Sequence, residues 1–133
     1  MQELQGSIPL SVVILTYNRP TELTKTVETL ISDIDSEVEI SVVDNASQIP
    51  ASQSLAHLKQ LEVIRLEKNI GVGARNIGIL AARGQIVVTL DDDVRGLTSE
   101  HVDIISQQFN RNIDLGAFNF QIVLENSKTQ INW

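Results

Sequence analysis

Leu10 to Thr16 reads LSVVILT and runs directly into Tyr17-Asn18-Arg19-Pro20. A β-branched run of this kind suits a strand covered on both faces. Pro20 presets the backbone for the first turn of a helix. Leu23, Val27, Leu30 and Ile31 then fall at i, i+4, i+7 and i+8, one face of that helix. The unit is a strand, a polar turn and a returning helix.

The same unit recurs along the chain. Val38 to Val43, VEISVV, reads as a second strand, broken by Asp44-Asn45-Ala46-Ser47. A short helix is expected over Ser52 to Leu61 and a third strand over Val63 to Leu66, before Glu67-Lys68-Asn69-Ile70-Gly71-Val72-Gly73. Ala74 to Arg83 reads as a helix with Ile77, Leu80 and Ala81 facing inward and Gly84 as its C-terminal cap. Ile86 to Leu90, IVVTL, is a fourth strand entering Asp91-Asp92-Asp93. A helix over Ser99 to Asn110 and a strand over Ala117 to Leu124 complete the expectation. Strands alternating with helices imply an α/β fold, a Rossmann-like, mostly parallel sheet with helices on both faces. Ligands of such sheets bind beyond the carboxyl ends of the strands. The polar clusters at 17–19, 44–47, 69–75 and 91–93 each follow an expected strand, so four segments should converge on one edge.

Composition narrows the function. With 42% hydrophobic and 20% charged residues among 133, the chain is globular, and one domain over 1–133 is expected. Without cysteine there is no disulfide, thiolate metal site or cysteine nucleophile. Seventeen acidic against ten basic residues give a net charge of -7, which argues against nucleic acid as a partner. No apolar run is long enough to span a membrane, and Met1 to Gly6 has no signal-peptide pattern. The expected location is the cytoplasm, with peripheral attachment at the inner face of a membrane as a variant.

Several residues could carry chemistry. Asp91 and Asp93, at i and i+2 of an extended segment, point to one side and could share a ligand. Crowded carboxylates call for a cation, and Mg²⁺ or Mn²⁺ suits one or two carboxylates completed by substrate phosphates. The plainer reading of the cluster is a solvated turn. Asp44 could accept from the imide N–H of uracil or thymine, or could simply form an Asx turn. Tyr17 could stack on a base or pack against the protein. Arg19 and Arg75 could each meet phosphate or a base carbonyl, and Arg75 could equally be a surface arginine of its helix. His57 and His101 have no partner at useful spacing and read as surface residues of amphipathic helices. Neither a G-x-G-x-x-G nor a P-loop pattern is present, and no G-x-S-x-G elbow supports a serine hydrolase.

VVILTYNRP, VVDNAS, NIGVGARNIG and GQIVVTLDDDV, in this order, resemble a family 2 glycosyltransferase of the GT-A fold over about residues 9 to 125. The resemblance implies a nucleotide-diphosphate-sugar donor, UDP- or dTDP-linked, and a divalent metal. It implies Thr16, Tyr17, Arg19, Asp44, Arg75 and Asp92 as the nucleotide-binding set, with Asp91 and Asp93 on Mg²⁺ or Mn²⁺. It further implies inverting, metal-assisted transfer to an acceptor hydroxyl on a glycan, lipid or protein. The chain departs from the family pattern at Val94, where members often carry another acid. The general base is also missing: Glu100, Asp103, Asp114 and Glu125 do not fit its position, so none is assigned. On this reading 1–133 is the nucleotide-sugar part, and the acceptor-binding half is lacking. Two other readings compete. One is a non-catalytic nucleotide-binding or interaction module of the same fold. The other is a receiver-like domain, which needs acids after the first strand where Tyr17-Asn18-Arg19 stand.

Overall fold

A computed structural model describes residues 10–124. Its four strands, β1 (Leu10–Thr16), β2 (Glu39–Asp44), β3 (Glu62–Arg65) and β4 (Ile86–Asp91), form one sheet in the order β3-β2-β1-β4. Every pairing is parallel, with Thr16 opposite Asp44 and Leu15 opposite Asp91. All four strands therefore end on the same edge.

The long helices are α1 (Pro20–Asp33), α3 (Ala74–Ala81) and α4 (Ser99–Arg111), and α2 (Ala51–Ser54) is a single turn. The β-branched character of β1 follows from its two packed faces. Leu10, Val12 and Ile14 join Ile40 and Val42 of β2 in a cluster closed by Leu23, Val27 and Leu30 of α1 and Ile105 of α4. Val13 and Val43 point the other way, onto Ala74 of α3. Each large aliphatic side chain so buried contributes about 1.5–3 kcal/mol. Helices thus lie on both faces of the sheet. Among the described residues, no helix is long and apolar enough to cross a membrane.

Several expected elements differ. α2 stops at Ser54, and the chain continues in turns with Leu58 N–H donating to Leu55 O at 2.9 Å. Leu55, Leu58 and Leu61 recur every third residue, and successive turns bring all three to the core. The inward face of α3 is Ala74 and Gly78; Ile77 is partly exposed, Leu80 is 83% exposed, and Ala81 is exposed as well. The cause is close approach: a Cβ on Gly78 would lie 2.4 Å from Val13 Cγ1 and 2.7 Å from Val43 Cγ2. Only small side chains fit there. α3 ends at Ala81, before the expected Arg83, and its cap is Ala82 in extended conformation. Gly84 instead presses on β1, with its N–H donating to Ser11 Oγ at 2.8 Å.

Ala117 to Leu124 forms no strand beyond a single bridge at Val123. Its alternating phenylalanines are used in ring contacts. Phe118 sits 5.6 Å from both Phe109 and Phe120, and Phe120 meets His101 edge-on at 5.4 Å. His57 lies in the turn beyond α2, with Nε2 2.6 Å from Glu28 Oε1. Glu125 lies outside the described residues.

Candidate functional site at the carboxyl edge of the sheet

The strand order reverses at β1: β2 and β3 lie on one side of it and β4 on the other. A crevice opens at such a reversal, beyond the ends of the two diverging strands. Here those ends carry Thr16 to Arg19 and Asp91 to Asp93. The loops are tied together across the chain. Thr16 Oγ1 donates to Asp92 Oδ2 at 2.8 Å, and Thr26 Oγ1 donates to the Asp92 carbonyl at 2.7 Å. Arg19 Nη1 donates to Asp92 Oδ1 and to Asp93 Oδ2, each at 3.0 Å. Arg75 pairs with Asp91.

The three aspartates are not equivalent. Asp92 is buried, whereas the side chains of Asp91 and Asp93 are 54% and 45% exposed. Burial pushes the Asp92 carboxyl above its ordinary value, and Thr16 and Arg19 only partly offset this. The Arg19 guanidinium is held charged, chiefly by its bond to Asp93 and by the field of Asp92. Three carboxylates thus face two guanidiniums at the end of β4.

The second strand end is built around Asp44, whose side chain has 0% exposure. Its Oδ1 accepts the Ser47 N–H at 2.9 Å; its Oδ2 accepts the Ala51 N–H at 2.9 Å and Arg65 Nη1 at 2.6 Å. Burial would raise this carboxyl, but hydrogen bonds from Ala51 and Ser47 and the Arg65 guanidinium outweigh it and hold the group below its usual range. The neighbouring loop is ordered from outside. Asn18, at φ 53°, accepts the Gln48 N–H on Oδ1 at 2.7 Å and donates its own N–H to Ser47 Oγ at 2.9 Å. Buried Asn45 then clamps the third loop: Nδ2 donates to Asn69 Oδ1 and to Gly71 O, and Oδ1 accepts the Ile70 N–H. Tyr17, 46% exposed, stands at the rim beside these loops.

The structure therefore brings the four polar clusters to one edge. Residues 11–95 match the family model described as glycosyl transferase family 2.

The chain belongs to glycosyl transferase family 2.

The relatives of this family 2 chain include an uncharacterized glycosyltransferase, YwdF, of Bacillus subtilis, 37% identical over 87 residues. That match covers 63% of this chain and 32% of YwdF. Among solved structures, TarS of S. aureus in complex with UDP matches with a TM-score of 0.60 at 25% identity, over 79% of this chain and 33% of that one. GalNAc-T7 with UDP, GalNAc and Mn²⁺ matches with a TM-score of 0.57 at 27% identity, over 66% of this chain and 18% of that one. The fold is that of the GT-A glycosyltransferases. The family 2 chain spans about a third of the length of curated relatives such as YwdF.

Two features bear on a metal. Among the described residues, no group of three or more His, Cys, Asp or Glu side chains forms a closed metal site. What the chain offers is two half-exposed carboxylates, Asp91 and Asp93, each paired with a guanidinium; one or two carboxylates suit a divalent ion when phosphate oxygens complete its shell. Beside them, Arg75 Nε is buried without a hydrogen-bond acceptor, as a donor awaiting an anion would be.

Sequence reading missed Arg65, Asn45 and Thr26 of the family 2 chain. Each acts across sequence separations of 21 to 66 residues, so no local pattern announces it. Glu100 and Asp103 lie on α4 and Asp114 in the turn beyond it. Among the described residues, none of the three bonds to the strand-end loops.

Proposed function

We propose that this chain supplies the donor site of a glycosyltransferase that moves a sugar from a nucleotide diphosphate to an acceptor hydroxyl. The observation that carries the reading is the paired charge at the sheet reversal. Two arginines face three aspartates beside the loops of β1 and β2, in a fold whose relatives TarS and GalNAc-T7 hold UDP.

In this reading Tyr17 stacks on the base. Asp44 accepts its imide N–H, which requires Arg65 to yield part of Oδ2. Thr16 and Asp92 hold the ribose end of the site in register. Arg19 and Arg75 bind the diphosphate, with the idle Nε of Arg75 as one donor. Asp91 and Asp93 hold Mg²⁺ or Mn²⁺ against the phosphates. When bound, the metal supplies Lewis-acid stabilisation of charge on the leaving diphosphate. The transfer is inverting, with the general base contributed by the acceptor-binding part of the protein and by no described residue of this chain.

Titration calorimetry with UDP, dTDP and GDP, each with and without Mn²⁺ or Mg²⁺, tests the reading. Metal-dependent binding of UDP or dTDP is expected, and loss of that dependence in Asp93→Ala. Failure of every nucleotide to bind would refute the donor site. A non-catalytic module of the same fold would instead bind nucleotide without transfer when acceptors are added to the full-length protein.

A further inference from the structure

We infer that Arg19 is a resident counter-cation of the aspartate cluster, one that leaves it when a divalent metal and a diphosphate arrive together. This rests on the donor-site reading above and adds to it an order of binding. The geometry is specific. A single nitrogen of Arg19, Nη1, spans Asp92 Oδ1 and Asp93 Oδ2 at 3.0 Å each. Asp93 is the exposed member of that pair and the carboxylate best placed for a metal, so the guanidinium stands on the oxygen the metal would use. Arg19 is itself about half-exposed, on a loop fixed by Asn18, so its side chain can turn away without moving the backbone.

Charge decides when that happens. Three carboxylates against the guanidiniums of Arg19 and Arg75 leave one negative charge at the edge. A divalent cation alone would turn this to a positive charge crowded beside two arginines, which like-charge repulsion opposes. A divalent cation arriving with the dianionic diphosphate of a sugar donor leaves the total unchanged, and with free UDP, whose terminal phosphate is ionised further, the edge becomes no more positive than before. Arg19 then trades two carboxylate oxygens for phosphate oxygens, which its planar fork suits equally well. Metal alone therefore binds weakly, and metal and nucleotide strengthen each other reciprocally.

The test titrates Mn²⁺ alone, UDP alone and both together into the wild type, Arg19→Gln and Arg19→Lys, by calorimetry and by the EPR signal of free Mn²⁺. Circular dichroism checks the fold of each variant. Arg19→Gln should bind Mn²⁺ alone about five- to tenfold more tightly than wild type, and the gain in Mn²⁺ affinity given by UDP should shrink by a similar factor. Mn²⁺–UDP association in solution is common to all three proteins and cancels in the comparison. Arg19→Lys keeps a cation in place and should retain the weak metal binding of the wild type. Unchanged or weaker Mn²⁺ binding by Arg19→Gln, with UDP still bound by the wild type, overturns this inference and leaves the donor site standing. Tightening by the lysine variant also overturns it. A wild type that binds no nucleotide with either metal overturns both.

Discussion

Gly78→Ala is the most informative single substitution, because helix propensity and packing predict opposite signs for it. In an exposed helix, replacing glycine by alanine stabilises by about 1 kcal/mol. At Gly78 the new methyl would sit 2.4 Å from Val13 Cγ1 and 2.7 Å from Val43 Cγ2, about 1 Å inside ordinary van der Waals contact. Both neighbours are valines of the two central strands, stiff at χ1 and packed against α3, so neither yields cheaply. The helix must lift, and overpacking of this kind costs about 1–3 kcal/mol. Gly73 provides the control. It caps the same helix at φ -60° with nothing within 4 Å of its added Cβ, so alanine there should stabilise by about 0.4–1 kcal/mol. In urea titrations the two variants should shift the midpoint in opposite directions at unchanged slope. Val13→Ala should partly rescue Gly78→Ala, giving a favourable coupling of about 0.5–3 kcal/mol in a double-mutant cycle. Arg75 sits one turn before Gly78 and lifts with it, so UDP affinity should fall alongside stability. Equal shifts for the two alanines, or a raised midpoint for Gly78→Ala, would refute the close-packing argument.

Other expectations follow from the loops. Ala46 is held at φ 66°, a conformation that costs an L-residue about 1–2 kcal/mol, so Ala46→Gly should leave the urea midpoint unchanged or raised; a drop would show that the loop is unstrained. Asp44→Asn leaves the buried Ser47 and Ala51 N–H donors without their anionic acceptor and should cost about 1–3 kcal/mol in thermal unfolding. Arg65→Gln should cost less, since that side chain is 42% exposed. Stability should also depend on acid. Against the upward push of burial, hydrogen bonds hold Asp44 and Glu39 below their ordinary values in the folded chain. Their contribution is therefore complete above the ordinary carboxylate range near pH 4 and lost as pH falls through the folded values. Asp44→Asn should flatten that slope, and an unchanged profile would count against the assignment. Asp92 has the opposite sign: its raised value makes its contribution decline as pH rises from the ordinary value through the folded one.

Much of the architecture was legible because it depends on long apolar runs. LSVVILT reads as a strand covered on both faces and IVVTL as a strand that the fold places, half-exposed, at the sheet edge, while Pro20 with Leu23, Val27 and Leu30 leaves one helix face to bury. Convergence of the four polar clusters followed from alternation alone. What escaped the sequence depends on distance across the fold. The inward face of α3 was misjudged because large apolar residues usually mark the core; here the helix lies too near β1 and β2 for any, and Ile77 and Leu80 are displaced outward. Phe118 and Phe120 alternate as in a strand, yet aromatic contacts with Phe109 and His101 claim them. Arg65 carries no local signal, because its carboxylate partner stands 21 residues earlier in the chain.

The central position of β1 bears on how the chain acquires its structure. β2 returns to β1 from a nearby part of the sequence, but the Thr16–Asp92 contact closes a separation of 76 residues. Closing long loops carries an entropy that must be met before their contacts give anything back, and non-local parallel pairing is slow for that reason. A nascent chain that has produced β1, α1 and β2 could already associate, yet it would hold no aspartate beside Arg19. The docking of β4 on β1 is the step that brings Asp91, Asp92 and Asp93 to Arg19, so the reversal of strand order also sets the moment in folding when the aspartates first meet their arginines.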